Sequence, residues 1–309
     1  MSSNKVLIAI VGPTAIGKTS LGVFLAQHFD TAVISADSRQ FFKEMHIGTA
    51  VPTQEELKQV PHHFIQHKSI LDTYSVGDFE KDALTKLETL FLTKNTVIMV
   101  GGSGLYVDAV IKGLDDFPEV NPALRKKLVR QLQEKGLESL QEELKKIDQE
   151  YHAKVDLDNP HRVIRALEVS LTASRPYSSF LDREKKNRPF KHLYVGLFAP
   201  REVIYERINQ RVDQMIEAGL MDEAKKLHEH KNRNALQTVG YKELFEFFEG
   251  RCSLEFAISE IKKNTRRFAK RQLTWLRKNP EVLWLEHDLA KEDMLKMILE
   301  RTKSIRNAD

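Results

Sequence analysis

The sequence predicts an α/β fold: a parallel sheet of about five strands flanked by helices, with a helical insertion. Five short apolar runs have the composition of strands that are buried on both faces. These runs are Val6–Val11, Ala32–Ser35, Val97–Val100, Leu193–Phe198 and Val282–Leu285. The segments between them have helical periodicity, and such alternation of strands and helices is typical of a parallel sheet.

The first predicted strand leads directly into a phosphate-binding loop. Eight consecutive residues match the pattern G-x-x-x-x-G-K-[ST]: Gly12, Pro13, Thr14, Ala15, Ile16, Gly17, Lys18 and Thr19. An amphipathic stretch from Ser20 to Phe29 predicts the helix that follows. The glycines let backbone N–H groups point inward at a helix N-terminus, where anions are favoured. Lys18 would add a positive charge, and the Thr19 hydroxyl could ligate Mg²⁺. These features predict a P-loop, kinase-like sheet that binds a di- or triphosphate.

A carboxylate follows the second predicted strand. Ligands of doubly wound sheets bind at the carboxyl ends of the strands, so Asp37 should share a crevice with the phosphate loop. Asp37 could act as a general base, as a water-mediated Mg²⁺ ligand, or as a binder of an acceptor group. Alternatively, Asp37 or Ser38 could cap a following helix.

Glycines replace a carboxylate after the third predicted strand. Gly101 and Gly102 allow close approach to a ligand, and Ser103 could cap a helix that begins near Leu105 or face the crevice. A motor ATPase usually has an acidic residue at the end of such a strand. Its absence argues against that class and leaves a small-molecule kinase open.

Basic residues concentrate in the C-terminal third. On a predicted helix Arg201–His230, Arg207 and Arg211 are four residues apart and share a face, from which they could reach a phosphate chain or simply be solvated. The stretch Lys262–Lys278 has no acidic residue and suits a nucleic-acid backbone. Its apolar residues are expected to pack inward; they are Phe268, Leu273, Trp275 and Leu276.

The long interval between the third and fourth strands predicts an insertion at 116–189, within a catalytic core of 1–115 and 190–309. Asn121-Pro122 is typical of a helix start, and Gly136 should end that helix. A second helix is expected at Arg162–Thr172. The segment Lys185–Pro189 should form an exposed return linker.

The composition excludes several other classes. One cysteine, Cys252, allows neither a disulfide framework nor a multi-cysteine zinc site. His62–His63 should lie in a loop, without metal-ligand spacing. No apolar run could span a bilayer, and no signal peptide precedes the first strand, so we expect a cytoplasmic protein.

Seven motifs follow one another along the chain. They are the phosphate loop, Ser35-Ala-Asp-Ser-Arg-Gln40, Ile47-Gly-Thr-Ala50, Val60-Pro-His-His63, Gly101-Gly-Ser-Gly-Leu-Tyr106, Arg162-Val-Ile-Arg-Ala-Leu-Glu168, and Ala269-Lys-Arg-Gln272 with Trp275. Taken together, these motifs resemble those of the tRNA dimethylallyltransferase family, also called tRNA isopentenyltransferases. The resemblance runs from Val6 to about Leu285. Small departures from the family pattern are Ser103 for Thr, Phe42 for Tyr, and Ile16 for a small residue.

The resemblance implies a reaction and its catalytic residues. A dimethylallyl group would move from dimethylallyl diphosphate to N6 of the adenosine 3′-adjacent to the anticodon. The phosphate loop would then hold a leaving group. Asp37 would be the base, while Lys18, Thr19-bound Mg²⁺ and Arg211 would neutralise the departing diphosphate.

The resemblance also implies tRNA contacts. They map onto Asp37, Ser38, Arg39, Gln40, Ser103, His161, Arg162, Val163, Ile164 and Arg165. The last five residues belong to the insertion, which would clamp the anticodon stem-loop while the target base flips out. We expect the enzyme to be a monomer.

Other functions fit part of the same pattern. An adenylate isopentenyltransferase would use the same donor with a nucleotide acceptor. A P-loop small-molecule kinase would use ATP, with Asp37 binding the acceptor hydroxyl. A non-catalytic RNA-binding module would leave Lys18 and Thr19 without a role. The basic insertion and Lys262–Lys278 favour tRNA.

Overall fold

The computed structural model describes residues 4–181 and 186–307. The chain divides into two compact units. The core unit comprises the residues up to Lys112 and those from Asn187 onward, and the insertion unit is Gly113–Lys186. The predicted boundaries at 116 and 189 lie within a few residues of this division. Lys185, the start of the predicted return linker, lies outside the described residues.

The core unit contains a six-stranded parallel sheet in the order β3-β2-β4-β1-β5-β6. Its strands are β1 (Val6–Val11), β2 (Val33–Ser35), β3 (His62–His63), β4 (Thr96–Val100), β5 (Lys191–Phe198) and β6 (Leu283–Glu286). The five predicted strands are confirmed. The prediction of a loop at His62–His63 was wrong, because a two-residue edge strand of polar side chains leaves no apolar run in the sequence.

Twelve α-helices surround the sheet and form the insertion in the described residues. They are α1 (Lys18–His28), α2 (Gln54–Gln59), α3 (Val76–Leu90), α4 (Gly104–Lys112), α5 (Pro122–Ile147), α6 (Gln149–Lys154), α7 (Pro160–Ala173), α8 (Arg201–Glu217), α9 (Leu220–Leu227), α10 (Tyr241–Phe248), α11 (Leu254–Leu276) and α12 (Lys291–Asn307). None of the helices in 4–181 and 186–307 has both the length and the apolarity needed to cross a bilayer.

Strand β1 is the centre of the sheet and is buried throughout. Ile8 and Ile10 pack on one face with α1, whereas Leu7 and Ala9 pack on the other with α3 and α4. This two-sided burial explains why the strand is a continuous apolar run. A third apolar cluster joins α8, α9, α10 and α11.

Two predictions about the helices require correction, and one is confirmed. The predicted helix Arg201–His230 is interrupted at Gly219, whose φ of 99° belongs to the left-handed region, so α8 and α9 are separate. The prediction that Gly136 ends the first helix of the insertion is confirmed: Gly136 is non-helical, with φ 78° and ψ 174°, and a second helical segment of α5 begins after it. Trp275 is 45% exposed instead of packing inward.

The insertion unit has its own small core, formed by α5 and α7 with α6 beside them. Each of the two longer helices begins with an asparagine cap and a first-turn proline. The Asn121 side chain accepts a hydrogen bond from the N–H of Ala123, and the Asn159 side chain accepts one from Arg162. The buried residues are Leu128, Leu140, Leu144, Val163, Ile164, Ala166 and Leu167.

We expect Gly22→Ala to destabilise the protein because α1 packs closely on the end of β4. A Cβ at Gly22 would lie 2.4 Å from Cγ2 of Val100. Overpacking of this kind costs about 1–3 kcal/mol, which outweighs the ~1 kcal/mol that alanine gains over glycine in a helix. Denaturant unfolding of the variant measures the difference.

A Val100→Ala background separates these two effects. With the valine methyls removed, Gly22→Ala should become neutral or stabilising, because only helix propensity remains. An equal penalty in both backgrounds would contradict the proposed clash.

Candidate active site

The loops that follow β1, β2 and β4 meet at the carboxyl edge of the sheet. Pairing of Ile34 with Met99 and of Ile10 with Val100 aligns the ends of these strands. A cavity of about 530 Å³ opens at this edge. Its lining includes the phosphate loop from Thr14 to Thr19, Asp37 and Arg211.

The phosphate loop has the backbone conformation that its glycines allow. The φ angles of Gly12 and Gly17 are 145° and 107°, both in a region that side chains rarely adopt. A Cβ at Gly12 would also lie 2.8 Å from the carbonyl oxygen of Leu197. Helix α1 begins directly after Gly17, so its free N–H groups face the cavity edge.

Positive charge is concentrated around Asp37. The Lys18 ammonium donates a hydrogen bond to the carbonyl of Pro13 at 2.7 Å. Burial lowers the pKa of Lys18 to about 8; the Asp37 carboxylate opposes this shift, and the Arg211 guanidinium adds to it. Burial also lowers the pKa of Arg211, again opposed by Asp37. The structure therefore brings Lys18, Asp37 and Arg211 together, whereas Arg207 is exposed.

Asp37 is fixed by a turn and caps no helix. Its Oδ1 accepts a hydrogen bond from the N–H of Arg39 at 3.1 Å, and its carbonyl accepts one from Gln40 at 2.9 Å. The next helix, α2, begins only at Gln54, so the capping alternative is wrong. The Ser38 and Ser103 hydroxyls lie 3.2 Å apart and link the Asp37 segment to the loop after β4.

A second cavity of about 700 Å³ adjoins this segment. Ser38 and Ser103 line it, and Arg39, Val239 and Phe268 line both cavities. The Arg39 guanidinium lies 4.7 Å from the centroid of the Phe268 ring. Burial lowers the pKa of Arg39, opposed by the carboxylates of Asp37 and Glu243.

The lining of the first cavity also includes a group of apolar side chains, here called the apolar wall. The wall comes from α8, the start of α9, the loop before α10 and α11. Its residues are Ile208, Val212, Met215, Leu220, Val239 and Ile261. A ligand that joins a polyphosphate to a short hydrocarbon would therefore meet a matching environment at both ends.

The insertion residues predicted to bind tRNA divide into two groups. His161 and Arg162 are exposed, and Arg165 is partly exposed with its guanidinium 5.2 Å from the centroid of the Phe117 ring. Val163 and Ile164 are only 0% and 3% exposed, within the apolar core of the insertion. The side chains of these two residues are therefore not available to tRNA, and their predicted contacts stay a prediction that would involve the backbone of α7.

Sequence reasoning missed Glu223, which fixes one wall of the first cavity. One Glu223 oxygen accepts hydrogen bonds from the N–H groups of His46 and Ile47, at 3.0 and 2.8 Å. The other accepts from the N–H of Gly48 at 2.9 Å and from the Tyr241 hydroxyl at 2.6 Å. No local pattern marks Glu223, because its partners on this loop lie more than 170 positions away.

The cavity chemistry fits a magnesium ion bound together with a phosphate ligand. Across residues 4–181 and 186–307, no cluster of three or more His, Cys, Asp or Glu side chains could hold a metal alone. Thr19 and Asp37 nevertheless both line the cavity and offer hard oxygen ligands. Mg²⁺ commonly takes one or two protein oxygens and completes its shell with phosphate and water.

Comparison with known proteins identifies the family. The model of the IPP transferase family matches residues 40–279. This chain belongs to the IPP transferase family. A tRNA dimethylallyltransferase of Christiangramia forsetii is 60% identical over 282 residues, covering 91% of this chain and 93% of the relative. One of Flavobacterium johnsoniae is 54% identical over 306 residues, covering 97% and 99%.

Solved structures agree with this family assignment and with the fold. A tRNA isopentenylpyrophosphate transferase of Bacillus halodurans has a TM-score of 0.72 at 38% identity, over 97% of each chain. A eukaryotic dimethylallyltransferase acting on tRNA has a TM-score of 0.81 at 26% identity, over 99% of this chain and 80% of its own. The family resemblance and the P-loop-like α/β fold are therefore confirmed.

We expect diphosphate binding to weaken as pH rises above about 8, the pKa of Lys18 in the free protein. Lys18 is charged below this pH and neutral above it, whereas a bound anion keeps it charged. Affinity should therefore fall by about tenfold per pH unit in this range. Calorimetric titration with inorganic diphosphate measures the effect.

Lys18→Arg is the matched control because its guanidinium stays charged. Its affinity should be weaker overall, but it should lack the inflection near pH 8. Diphosphate ionisation affects both proteins equally and cancels in their ratio. Parallel pH profiles would rule out Lys18 as the titrating group.

We expect Glu223→Gln to impair the first cavity, because an amide would turn a donor toward N–H groups that need an acceptor. A loss of about 1–3 kcal/mol in unfolding free energy is typical of such unsatisfied groups. Affinity for a prenyl diphosphate analogue should fall as well, since Ile47 and Gly48 line the cavity. Asp222→Asn removes one charge from the same helical turn and should leave both quantities nearly unchanged.

Proposed function

We propose that this IPP transferase transfers a dimethylallyl group from dimethylallyl diphosphate to N6 of the adenosine 3′-adjacent to the anticodon of tRNA, releasing diphosphate. One observation carries the proposal: a phosphate loop, a carboxylate and an apolar wall surround one cavity. The names of its relatives, tRNA dimethylallyltransferases, support tRNA as the acceptor.

The donor binds with its diphosphate in the phosphate loop. The loop N–H groups, Lys18 and Arg211 hold the phosphate oxygens, and the five-carbon chain lies along the apolar wall. Magnesium, held by Thr19 when bound, supplies further neutralisation of the diphosphate charge. This arrangement supports a role for the loop in binding a leaving group on carbon.

The reaction is a displacement at C1 of the allyl group. The N6 amine attacks C1 as the bond from C1 to the diphosphate oxygen breaks, and the electron pair leaves with the diphosphate. Lys18 and Arg211 stabilise the charge that grows on this oxygen. Asp37 accepts the proton that N6 loses. Because an adenine amine is a weak nucleophile, its orientation against C1 contributes strongly to the rate.

The acceptor adenosine occupies the second cavity after it leaves the anticodon-loop stack. Ser38, Arg39 and Ser103 line this cavity, which supports their predicted contacts with the flipped nucleotide. Asp37 lines the first cavity and directly precedes Ser38 in the chain. Gln40 supports the same segment indirectly, because its amide donates to the carbonyl of Ala50 at 2.9 Å.

The rest of the tRNA contacts basic side chains. In the insertion, His161, Arg162 and Arg165 are the residues available to the anticodon stem-loop. In the core unit, the exposed basic residues of α11 suit the phosphate backbone. The adenylate acceptor and kinase alternatives leave both surfaces without a partner.

One assay tests the reaction directly. The protein is incubated with Mg²⁺, labelled dimethylallyl diphosphate and a tRNA that carries adenosines after its anticodon, and the tRNA is digested to nucleosides. We expect N6-dimethylallyladenosine and released diphosphate. Labelled AMP as the preferred acceptor, or phosphoryl transfer from ATP, would overturn the proposal.

We expect Asp37→Asn to lower the single-turnover rate by about 10²–10⁴-fold, the usual contribution of a general base. Asparagine keeps an oxygen that can accept the Arg39 N–H, so the turn should survive and only the charge is lost. Calorimetry should therefore find donor affinity within a few fold of the original protein. A rate that is unchanged, or that falls only with donor affinity, would remove Asp37 from its catalytic role.

A further inference from the structure

Gln272 of α11 links two segments that are distant in the sequence. Its side chain is 7% exposed and lies at the edge of the first cavity. Its Oε1 accepts a hydrogen bond from the N–H of Thr14 at 3.0 Å. Its Nε2 donates one to the carbonyl of Gly102 at 2.8 Å. One amide thus joins the phosphate loop to the glycine turn after β4.

Only a residue with both a donor and an acceptor can make these two bonds. The Thr14 N–H needs an acceptor, and the Gly102 carbonyl needs a donor. A glutamate carboxylate would place a negative oxygen against the Gly102 carbonyl. A leucine of similar size would leave both backbone groups unpaired in a buried place, which is unfavourable.

The glycine turn lies in close contact with both Gln272 and the Asp37 segment, so a shift of Gln272 would move the backbone beside Asp37. A Cβ at Gly102 would lie 2.4 Å from Gln272 Nε2 and 3.8 Å from Asp37 Oδ2. A Cβ at Gly101 would lie 2.6 Å from the carbonyl oxygen of Ala36, next to Asp37. The glycine turn is therefore packed between Gln272 and the Asp37 segment, without room for a side chain.

A second residue of α11, Trp275, lies three positions after Gln272 and packs against the same turn. A Cβ at Gly104 would lie 2.5 Å from the Trp275 ring, and the Trp275 indole donates to Asp108 at 3.1 Å. The indole of Trp275 therefore packs against the Gly104 backbone along one edge, although the residue is 45% exposed. Gln272 and Trp275 together fix α11 against the loop that follows β4.

We propose that Gln272 is a positioning residue for prenyl transfer, which holds the donor-binding phosphate loop in register with the glycine turn beside the acceptor. The inference rests on the proposed function, since it assigns the donor to one segment and the acceptor to the other. Gln272 itself makes no bond to the reacting atoms. Its effect is on the alignment of C1 with the attacking amine.

Three variants of α11 test this role. Gln272→Glu keeps the shape and loses the donor at neutral pH, and Gln272→Ala removes both bonds. Thr274→Ala is the control, because Thr274 is exposed on the same helix and its hydroxyl donates to the carbonyl of Lys270, one turn earlier in that helix. Each protein is assayed for thermal unfolding, for calorimetric binding of inorganic diphosphate and of tRNA, and for single-turnover rate with saturating substrates.

We expect Gln272→Ala to bind diphosphate and tRNA within a few fold of the original protein. The carboxylate of Gln272→Glu lies at the edge of the same cavity and should weaken diphosphate binding at neutral pH by charge repulsion, so the rates are compared at saturating substrates. The single-turnover rates of both variants should fall about 10²-fold, as expected when reacting groups are misplaced by about an ångström. Thr274→Ala should retain the original rate. An unchanged rate in folded Gln272→Ala, or a rate loss in Gln272→Ala matched by an equal loss of diphosphate affinity, would overturn the positioning role.

The pH dependence of Gln272→Glu separates positioning from a general loss of structure. A protonated glutamic acid can accept from Thr14 and donate its O–H to Gly102, as glutamine does. The rate of this variant relative to the original protein should therefore recover as pH falls and the buried carboxyl gains its proton. A ratio that stays constant or declines with falling pH would contradict the assigned bonds.

The same experiments distinguish this inference from the proposed function. If the original protein forms no N6-dimethylallyladenosine, the proposed function fails, whatever the variants do. If the original protein is active and folded Gln272 variants are equally active, only the role of Gln272 fails.

Discussion

The parallel alignment of β1, β2 and β4 is the constraint on which the active site depends. All three strands end at one edge of the sheet, so the loops that follow them share one crevice. The first loop carries the phosphate-loop sequence, the second supplies Asp37, and the third supplies the glycine turn with Ser103. None of these groups is close to another in the sequence, and none could act alone in a displacement that needs donor, acceptor and base together.

Electrostatics make this crevice selective for an anion. Burial disfavours the charged forms of Lys18, Arg39 and Arg211, and in each case Asp37 partly compensates. Cations held in this way, with one shared carboxylate, gain stabilisation when an anion such as diphosphate binds. The apolar side chains that line the same cavity are consistent with the prenyl diphosphate donor that we propose.

Two polar side chains hold the loops of the crevice in place through hydrogen bonds to the backbone. The Glu223 carboxylate accepts hydrogen bonds from three consecutive N–H groups and from the Tyr241 hydroxyl. These bonds fix the part of the cavity lining that Ile47 and Gly48 form. Gln272 joins the phosphate loop to the glycine turn. Loops without regular hydrogen bonding need such partners, because buried backbone groups are costly when unpaired. Helices α9 and α11 therefore stabilise loops that lie at least 170 residues earlier in the sequence.

The sequence by itself determined the features that depend on local chemistry. Apolar runs predicted five strands, the glycine spacing predicted the phosphate loop, and Asn121-Pro122 marked the start of the first helix of the insertion. Tertiary structure decided the rest. It alone added β3, exposed Arg162 while burying Val163 and Ile164, and gave roles to Glu223 and Gln272. The physical reason is the sequence separation of the interacting residues. A local sequence pattern indicates whether a residue is buried or lies in a turn. The hydrogen bond between Gln272 and Thr14 joins residues 258 positions apart, so it forms only after the sheet and α11 have packed.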